Sequence, residues 1–256
     1  MTREKLNVQR LTIGSWITIG HPAIAEIMAR AGFDWLVVDL EHSTIGLDTA
    51  GELIRTIDLC GVVPLVRLTS NHEDQIKRVM DAGAHGIIVP MVNSAADAAR
   101  AVAATRYGPR GTRGVGLARA QGYGTSFDDY LQWQSDGPTV IVQIEHKDAI
   151  DQLPEILRVP GVDGFIIGPY DLSCSLGIPG QFDRDEFRTA MTRILETGKR
   201  LGCPAGLHIV EPDLQQLDET IRAGYTFIAY SVDTRILDVG SRKANEMVKA
   251  VARQHR

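Results

Sequence analysis

The sequence has few cysteines, and none of them has the spacing of a metal site. Cys60, Cys174 and Cys203 are the only three in 256 residues, and no two of them form a Cys-x-x-Cys pair. An odd number of widely separated cysteines is typical of unpaired thiols in a reducing compartment. We therefore expect a cytoplasmic protein without disulfide bonds.

Long apolar runs are absent too. No run approaches the roughly 20 apolar residues that a membrane-spanning helix needs, and residues 1–5 are polar, unlike a signal peptide. The sequence also lacks an excess of positive charge, because its formal net charge is −5. Nucleic-acid binding depends on a clustered cationic surface. We expect neither a membrane segment nor a nucleic-acid partner.

The sequence instead alternates short apolar segments with longer segments of helical periodicity. Predicted strands cover residues 11–17, 34–39, 62–67, 86–90, 139–145, 163–167, 204–208 and 226–231. Predicted helices cover residues 22–31, 47–60, 72–82, 94–105, 147–157, 184–201, 211–223 and 235–252. Eight strands, each followed by a helix, predict a single α/β domain over residues 1–256, a closed (β/α)8 TIM barrel. An open doubly wound sheet is the alternative, and the number of evenly spaced units favours closure.

One connection breaks this rhythm. Residues 106–138 join the fourth predicted helix to the fifth predicted strand and are rich in glycine and arginine. Connections of this length inside a compact barrel are typical of lids, binding loops or subunit contacts.

Polar residues follow several predicted strands at the carboxyl end of the barrel, where barrel enzymes carry their active sites. Glu145 and Asp171 follow the neighbouring fifth and sixth strands. Two carboxylates in this position suit a hard octahedral cation such as Mg²⁺ or Mn²⁺. The alternative is that each carboxylate caps the helix that follows it.

Three further residues suggest acid–base and enolate chemistry. Asp39 and His42 lie within one turn after the second strand, and a carboxylate beside an imidazole fixes its tautomer and raises its basicity. A helix start with two polar residues is the alternative. Arg67 ends an apolar strand, where it either stabilises an enolate oxygen or pairs with a neighbouring carboxylate. The turn at Gly168 and Pro169 begins a helix whose amides suit a substrate carboxylate.

None of the six lysines ends a predicted strand, although a Schiff-base aldolase needs a lysine at that position. A metal therefore has to supply the electrophile. The other histidines receive no catalytic role: His21 and His208 are expected to make local polar contacts or bind substrate, His146 to be structural, and His72 and His85 to lie on the surface.

Six motifs occur in order between about Gly14 and Asp233, and together they resemble one family. That family is the class II pyruvate aldolases of the 4-hydroxy-2-oxoheptanedioate aldolase type, within the phosphoenolpyruvate/pyruvate barrel superfamily. The motifs are Asp39-x-Glu41-His42, Val66-Arg67, Val89-Pro90-Met91-Val92, Tyr107-x-Pro109-Arg110-Gly111-x-Arg113-Gly114, Gln143-Ile144-Glu145 and Gly168-Pro169-x-Asp171-Leu172-Ser173.

The resemblance implies a divalent-metal-dependent aldolase that cleaves 4-hydroxy-2-oxo acids to pyruvate, formed as its enolate, and an aldehyde. It implies Mg²⁺ or Mn²⁺ as the metal, with Co²⁺ and Zn²⁺ as further candidates. It also implies a homohexamer in which the last helix packs against, or is exchanged with, a neighbouring subunit. By the same resemblance, the residue roles are metal binding by Glu145 and Asp171, acid–base catalysis by His42 oriented by Asp39, enolate stabilisation by Arg67, and substrate positioning by Gln143, Gly168 and Pro169.

Two segments depart from the family pattern. Tyr170 stands where a small residue is common, and residues 117–124 also differ, so we expect both to lie where the aldehyde or the distal end of the substrate binds. The alternative functions are oxaloacetate decarboxylation or another enolate condensation at the same site. A non-catalytic barrel that binds a small acid is a third alternative, which four intact site residues disfavour.

Overall fold

The structure, a computed structural model, describes residues 5–255. Within this range eight parallel strands close into a barrel in sequence order, with β8 paired back to β1. The strands are β1 (Thr12–Ile17), β2 (Trp35–Asp39), β3 (Val63–Arg67), β4 (Gly86–Val89), β5 (Thr139–Ile144), β6 (Gly164–Ile167), β7 (Ala205–Ile209) and β8 (Phe227–Val232). The predicted (β/α)8 barrel is confirmed, and every predicted strand is found within one residue at each end.

The helices surround this barrel. They are α1 (Pro22–Arg30), α2 (Leu47–Leu59), α3 (Glu73–Asp81), α4 (Ala95–Thr105), α5 (Phe127–Trp133), α6 (Lys147–Leu157), α7 (Pro169–Ser175), α8 (Asp185–Leu201), α9 (Leu214–Ala223) and α10 (Asp233–Gln254). The short helices α5 and α7 were not expected. Helix α9 begins at Leu214 rather than 211, because the Asp213 side chain caps it by accepting hydrogen bonds from two backbone amides.

The core has two parts because both faces of each strand are covered. Outward-facing side chains pack against the helices, whereas inward-facing side chains fill the barrel itself. Trp35 is stacked on Phe227 inside the barrel, with ring centroids 4.1 Å apart. Gly14 leaves the room that this indole needs, since a Cβ there would collide with the Trp35 ring. The barrel is therefore a packed core, and open space begins only at the carboxyl ends of the strands, here called the mouth.

The long connection, residues 106–138, lies at the opposite end of the barrel from the mouth. It contains a 3₁₀ helix (Arg119–Gly124) and α5. Arg119 is 2.5 Å from Asp58 at the end of α2, and Arg113 is 2.5 Å from Asp81 at the end of α3. A segment that links a helix to the next strand must return to the strand's amino end. Residues 117–124 therefore lie away from the mouth of their own chain. The expectation that they lie where the substrate binds is wrong for the site of the same chain.

This connection also buries His85, which was expected on the surface. His85 precedes β4, is 8% exposed, and has its Nε2 atom 3.2 Å from Asp58 Oδ1. The centroids of the His85 and Trp133 rings are 5.8 Å apart. The sequence around His85 resembles a helix-to-strand turn and carries no sign of the distant segment that covers it.

Helix α10 leaves the barrel after its first turns. Asp233 is buried and holds the start of the helix against β1, because its carboxylate accepts hydrogen bonds from Thr18 and Ile19. Residues 240–255, in contrast, are all exposed. Whether this helix is exchanged between subunits stays a prediction.

Within residues 5–255 no helix combines the length and apolar character that crossing a membrane requires, and all three cysteines are unpaired, as expected.

Candidate active site

Asp39 and Arg67 form a paired, two-pronged contact at the mouth. They end β2 and β3 and are register partners, so their side chains lie next to each other. Arg67 Nε donates to Asp39 Oδ1 at 2.8 Å and Nη2 donates to Oδ2 at 2.6 Å. Asp39 is only 2% exposed. A buried bidentate contact of this kind fixes the plane and position of the guanidinium.

The expected side-chain pairing of Asp39 with His42 is not what the structure has. The Asp39 carboxylate instead accepts the backbone N–H groups of Glu41 at 3.0 Å and of His42 at 3.3 Å. The His42 side chain is 63% exposed, and its Nε2 lies 3.9 Å from Glu41 Oε2. The Arg67 guanidinium carries a full positive charge and therefore outcompetes the imidazole of His42 for the buried carboxylate of Asp39. Asp39 thus shapes the turn that carries His42 but does not contact the His42 ring.

Glu41 belongs to the same cluster and was not singled out from the sequence, although it lies inside a quoted motif. Its Oε2 atom is 3.2 Å from Arg67 Nη1. Burial raises the pKa of Glu41 to about 7, Arg67 opposes this rise, and the nearby carboxylates of Glu145, Asp39 and Asp171 add to it. Four carboxylates therefore interact around one guanidinium.

Glu145 is as enclosed as Asp39, and it too is only 2% exposed. Met91 N–H donates to its Oε1 at 2.7 Å, and the Gln143 side-chain amide donates to its Oε2. Met91 has a positive φ of 53°, which is unusual for a residue with a side chain and turns its N–H into the mouth. Burial raises the pKa of Glu145, the two hydrogen bonds lower it, and the Asp171 charge raises it further.

Gly168 and Asp171 complete this side of the mouth. Gly168 caps the start of α7 and Pro169 is the first residue of that helix, as expected for an exposed set of amides. A Cβ on Gly168 would lie 2.6 Å from Glu145 Oε2, so the absence of a side chain there makes room for the carboxylate. Asp171 lies in the first turn of α7 and acts electrostatically on both Glu145 and Glu41. The two predicted metal ligands therefore lie near enough to interact electrostatically.

A divalent cation fits this arrangement. Within residues 5–255 no group of three or more His, Cys, Asp and Glu side chains is placed to hold a metal ion by itself. The Glu145–Asp171 pair thus offers two carboxylates and leaves other positions to substrate and water, as hard cations with oxygen ligands allow. Arg67 alone does not neutralise the four carboxylates, and the buried Oε2 of Glu41 has an ion pair with Arg67 but no hydrogen bond. The excess negative charge and the carboxylate oxygens both suit an added cation.

The other side of the mouth is aromatic. The Trp16 indole from β1 lies under Arg67, with the guanidinium carbon 4.3 Å from the ring centroid. His208, at the end of β7, has its ring centroid 5.3 Å from that of Trp16. Sequence reasoning missed Trp16, because its position at the mouth depends on how β1 meets β3 and β7 across the barrel.

A closed parallel barrel whose strand ends carry a fixed arginine and coupled carboxylates has the layout of a (β/α)8-barrel enzyme. A family model described as HpcH/HpaI aldolase/citrate lyase matches residues 12–238. The chain belongs to this family, which confirms the resemblance read from the motifs. It is an aldolase-type carbon–carbon lyase.

Individual relatives support this assignment. A 4-hydroxy-2-oxo-heptane-1,7-dioate aldolase of Shigella sonnei is 39% identical over 237 residues, which cover 92% of this chain and 89% of the relative. A hydroxypyruvate/pyruvate aldolase of Sagittula stellata is 38% identical and covers 92% of both chains. The crystal structure of an HpcH/HpaI aldolase/citrate lyase family protein from Burkholderia cenocepacia has a TM-score of 0.89 at 34% identity, covering 94% of this chain and 95% of that one.

Proposed function

We propose that this protein is a divalent-metal-dependent aldolase that reversibly cleaves 4-hydroxy-2-oxo acids to pyruvate and an aldehyde. The observation that carries this proposal is the meeting of Glu145, Asp171 and Arg67 at one mouth, with more carboxylate charge than the arginine offsets. An enolate and a cation are the two charged partners that such a site complements.

The metal would be held by Glu145 and Asp171. Mg²⁺ or Mn²⁺ suits two carboxylates best, with Co²⁺ or Zn²⁺ as weaker candidates. Bound there, the cation would polarise the 2-oxo group and offset negative charge on the enolate. Gln143 and Met91 support this role because each donates a hydrogen bond to one oxygen of Glu145 and so fixes its orientation.

The remaining residues act on the substrate itself. His42 is exposed at the rim and accepts the proton of the C4 hydroxyl as the C3–C4 bond breaks, which leaves the bond's electron pair on the enolate. Arg67, fixed in place by Asp39, donates hydrogen bonds to the enolate oxygen. Gln143 and the backbone around Gly168 and Pro169 position the 2-oxo acid. Protonation of the enolate at C3 then gives pyruvate.

We infer that the protein works as a homo-oligomer, in keeping with the hexamer that the resemblance implies. Helix α10 exposes Met247 by 63%, Val248 by 66% and Val251 by 56%. Apolar side chains at this spacing share one face of a helix and are expected to pack against a neighbour. The three unpaired thiols support a cytoplasmic location.

The test is pyruvate release from 4-hydroxy-2-oxo acids of several chain lengths, with Mg²⁺ or Mn²⁺ and again with EDTA. We expect release to need the metal and to fall by at least about 100-fold in Glu145→Ala and Asp171→Ala. Asp74→Ala, which removes an exposed carboxylate from the first turn of α3, is the matched control and should retain activity.

Two other outcomes are informative. Metal-dependent consumption of oxaloacetate without cleavage of any 4-hydroxy-2-oxo acid would keep the site and replace the aldolase by a decarboxylase. Turnover that is unaffected by EDTA and by both variants would refute the metal site.

A further inference from the structure

His208 is an inward-facing polar residue at the mouth that the proposed mechanism does not use. Its neighbours on β7, Leu207 and Ile209, face the outer helices, so the alternation of the strand directs His208 into the barrel. Below it the interior is filled by fully buried residues such as Phe227 and Ala229. The His208 side chain can therefore reach solvent only through the mouth.

One ring nitrogen of His208 is held by the backbone of the next strand. Nε2 lies 3.1 Å from the carbonyl oxygen of Ser231, and since a carbonyl only accepts, Nε2 carries the proton. Ser231 has a positive φ of 58° and lies where the β1–β8 register shifts. The Ser15 hydroxyl donates to the same carbonyl at 3.2 Å. A non-glycine residue in this conformation costs about 1 kcal/mol or more and is common at functional sites.

The other ring nitrogen is free to accept a hydrogen bond. Among the described residues, none donates a hydrogen bond to His208 Nδ1. Nδ1 is also absent from the set of fully buried polar atoms without a partner, so it is accessible from the mouth. Burial lowers the pKa of His208 to about 4, with the Arg67 charge acting in the same direction and the Asp39 charge against it. The ring is therefore neutral near pH 7, with a lone pair on Nδ1.

His208 also lies close to the proposed position of the enolate. The Trp16 indole contacts both the Arg67 guanidinium and the His208 ring. We therefore expect a substrate whose enolate oxygen meets Arg67 to place its neighbouring carbons between Trp16 and His208. Arg67 can only donate hydrogen bonds, whereas Nδ1 can only accept one, so the two sides of this space select different groups.

We propose that His208 is a specificity-determining residue whose Nδ1 accepts a hydrogen bond from a hydroxyl group on the substrate. This proposal rests on the aldolase function proposed above and predicts a preference for hydroxylated substrates. The hydroxyl is carried either by the 2-oxo acid at C3 or by the aldehyde at C2. A methyl group in the same place displaces water from Nδ1 and leaves a polar atom unsatisfied, which disfavours the unhydroxylated substrate.

The experiment measures aldol addition with two matched pairs that differ by hydroxyl against methyl. In the first, hydroxypyruvate and 2-oxobutanoate react with propanal; in the second, glycolaldehyde and propanal react with pyruvate. The net loss of one hydrogen bond corresponds to about a 3- to 10-fold effect. We expect kcat/KM to favour the hydroxylated member by about this factor in the pair whose hydroxyl faces His208, which identifies its carrier.

Two variants test the residue itself. His208→Leu removes the acceptor and should abolish the preference for the hydroxylated member. His208→Gln retains an acceptor oxygen and should restore much of the preference, which a merely structural role would not do. It also keeps the proposal testable if the leucine variant fails to fold.

The outcomes separate the two proposals. Turnover with no preference in either pair, or a preference that persists in His208→Leu, would overturn the role of His208 and leave the aldolase intact. Absence of turnover with pyruvate and every aldehyde would overturn the aldolase proposal and the specificity proposal together.

Discussion

Four carboxylates around a single guanidinium govern the chemistry of the mouth. The ionised carboxylates of Glu41, Glu145 and Asp171 repel one another. A cation placed among them would reduce this repulsion in addition to being bound by carboxylate oxygens. Arg67 is held by Asp39 and by contact with Trp16, so it meets a substrate without reorganising. In the proposed function these side chains would complement negative charge that develops beside a bound cation.

Gly168 gives the sharpest prediction at the scale of single residues. In Gly168→Ala the new Cβ would lie 2.6 Å from Glu145 Oε2 and 2.9 Å from Glu145 Cβ, so Glu145 must move. We expect Mn²⁺ affinity, measured by calorimetric titration, to fall by about 10- to 100-fold.

The matched control is Gly46→Ala. Gly46 precedes α2 as Gly168 precedes α7, with a φ of −82°, and nothing lies within 4 Å of the position of its Cβ. This variant should bind Mn²⁺ as the unmodified protein does. Equal affinity in Gly168→Ala would show that Glu145 is not a ligand.

At the scale of elements, residues 106–138 are held by ion pairs of unequal burial. Arg119 and Asp58 are 17% and 18% exposed, whereas Arg110 and Asp136 are 59% and 80% exposed. Hydrogen bonds from His85 and Arg119 lower the pKa of Asp58 to about 2 against the desolvation that would raise it. A depressed carboxyl pKa stabilises the fold above its usual value near 3.8, and this contribution is lost as the pH falls toward 2.

We therefore expect Arg119→Met to lower the free energy of unfolding by about 1–3 kcal/mol, because Asp58 is left partly buried with fewer partners. Limited proteolysis should then cut within residues 106–138 faster. Arg110→Met is the control, since exposed ion pairs contribute only about 0–1 kcal/mol. Equal loss of stability in both variants would mean that burial of the Asp58 pair does not anchor the connection.

At the scale of the whole molecule, α10 and residues 106–138 both carry side chains that the rest of the chain leaves exposed. Residues 240–255 of α10 are exposed throughout. In the long connection, Leu117 and Tyr123 are 72% and 69% exposed at the end of the barrel away from its own mouth. In the proposed oligomer a neighbour would cover these side chains.

The prediction at this scale concerns the apolar face of α10. Met247→Glu combined with Val251→Glu places two charges on it, and we expect light scattering to report a smaller assembly because burying an unpaired charge is costly. Lys249→Glu alters charge on the opposite side of the helix and should leave the assembly unchanged. An unchanged mass in the double variant would exclude this face as an interface.

The sequence by itself determined the barrel and much of its mouth. The strand pattern is local, and the carboxyl end of every parallel strand reaches the mouth. Asp39, Arg67, Glu145 and Asp171 could therefore be placed near the mouth from the sequence alone. The Asp39–Arg67 pair replaced the expected Asp39–His42 contact because the register between β2 and β3 determines which charges meet.

Only the tertiary structure decided the remaining features. Met91 turns its N–H toward Glu145 through an unusual backbone conformation, His85 is buried by a distant connection, and His208 lies against Trp16 at the mouth. The composition of residues 106–138 predicted a lid, a binding loop or a subunit contact, and only the structure places them at the end of the barrel away from the mouth. In each case the deciding contact joins residues far apart in the chain, and local periodicity carries no information about which distant surfaces close packing brings together.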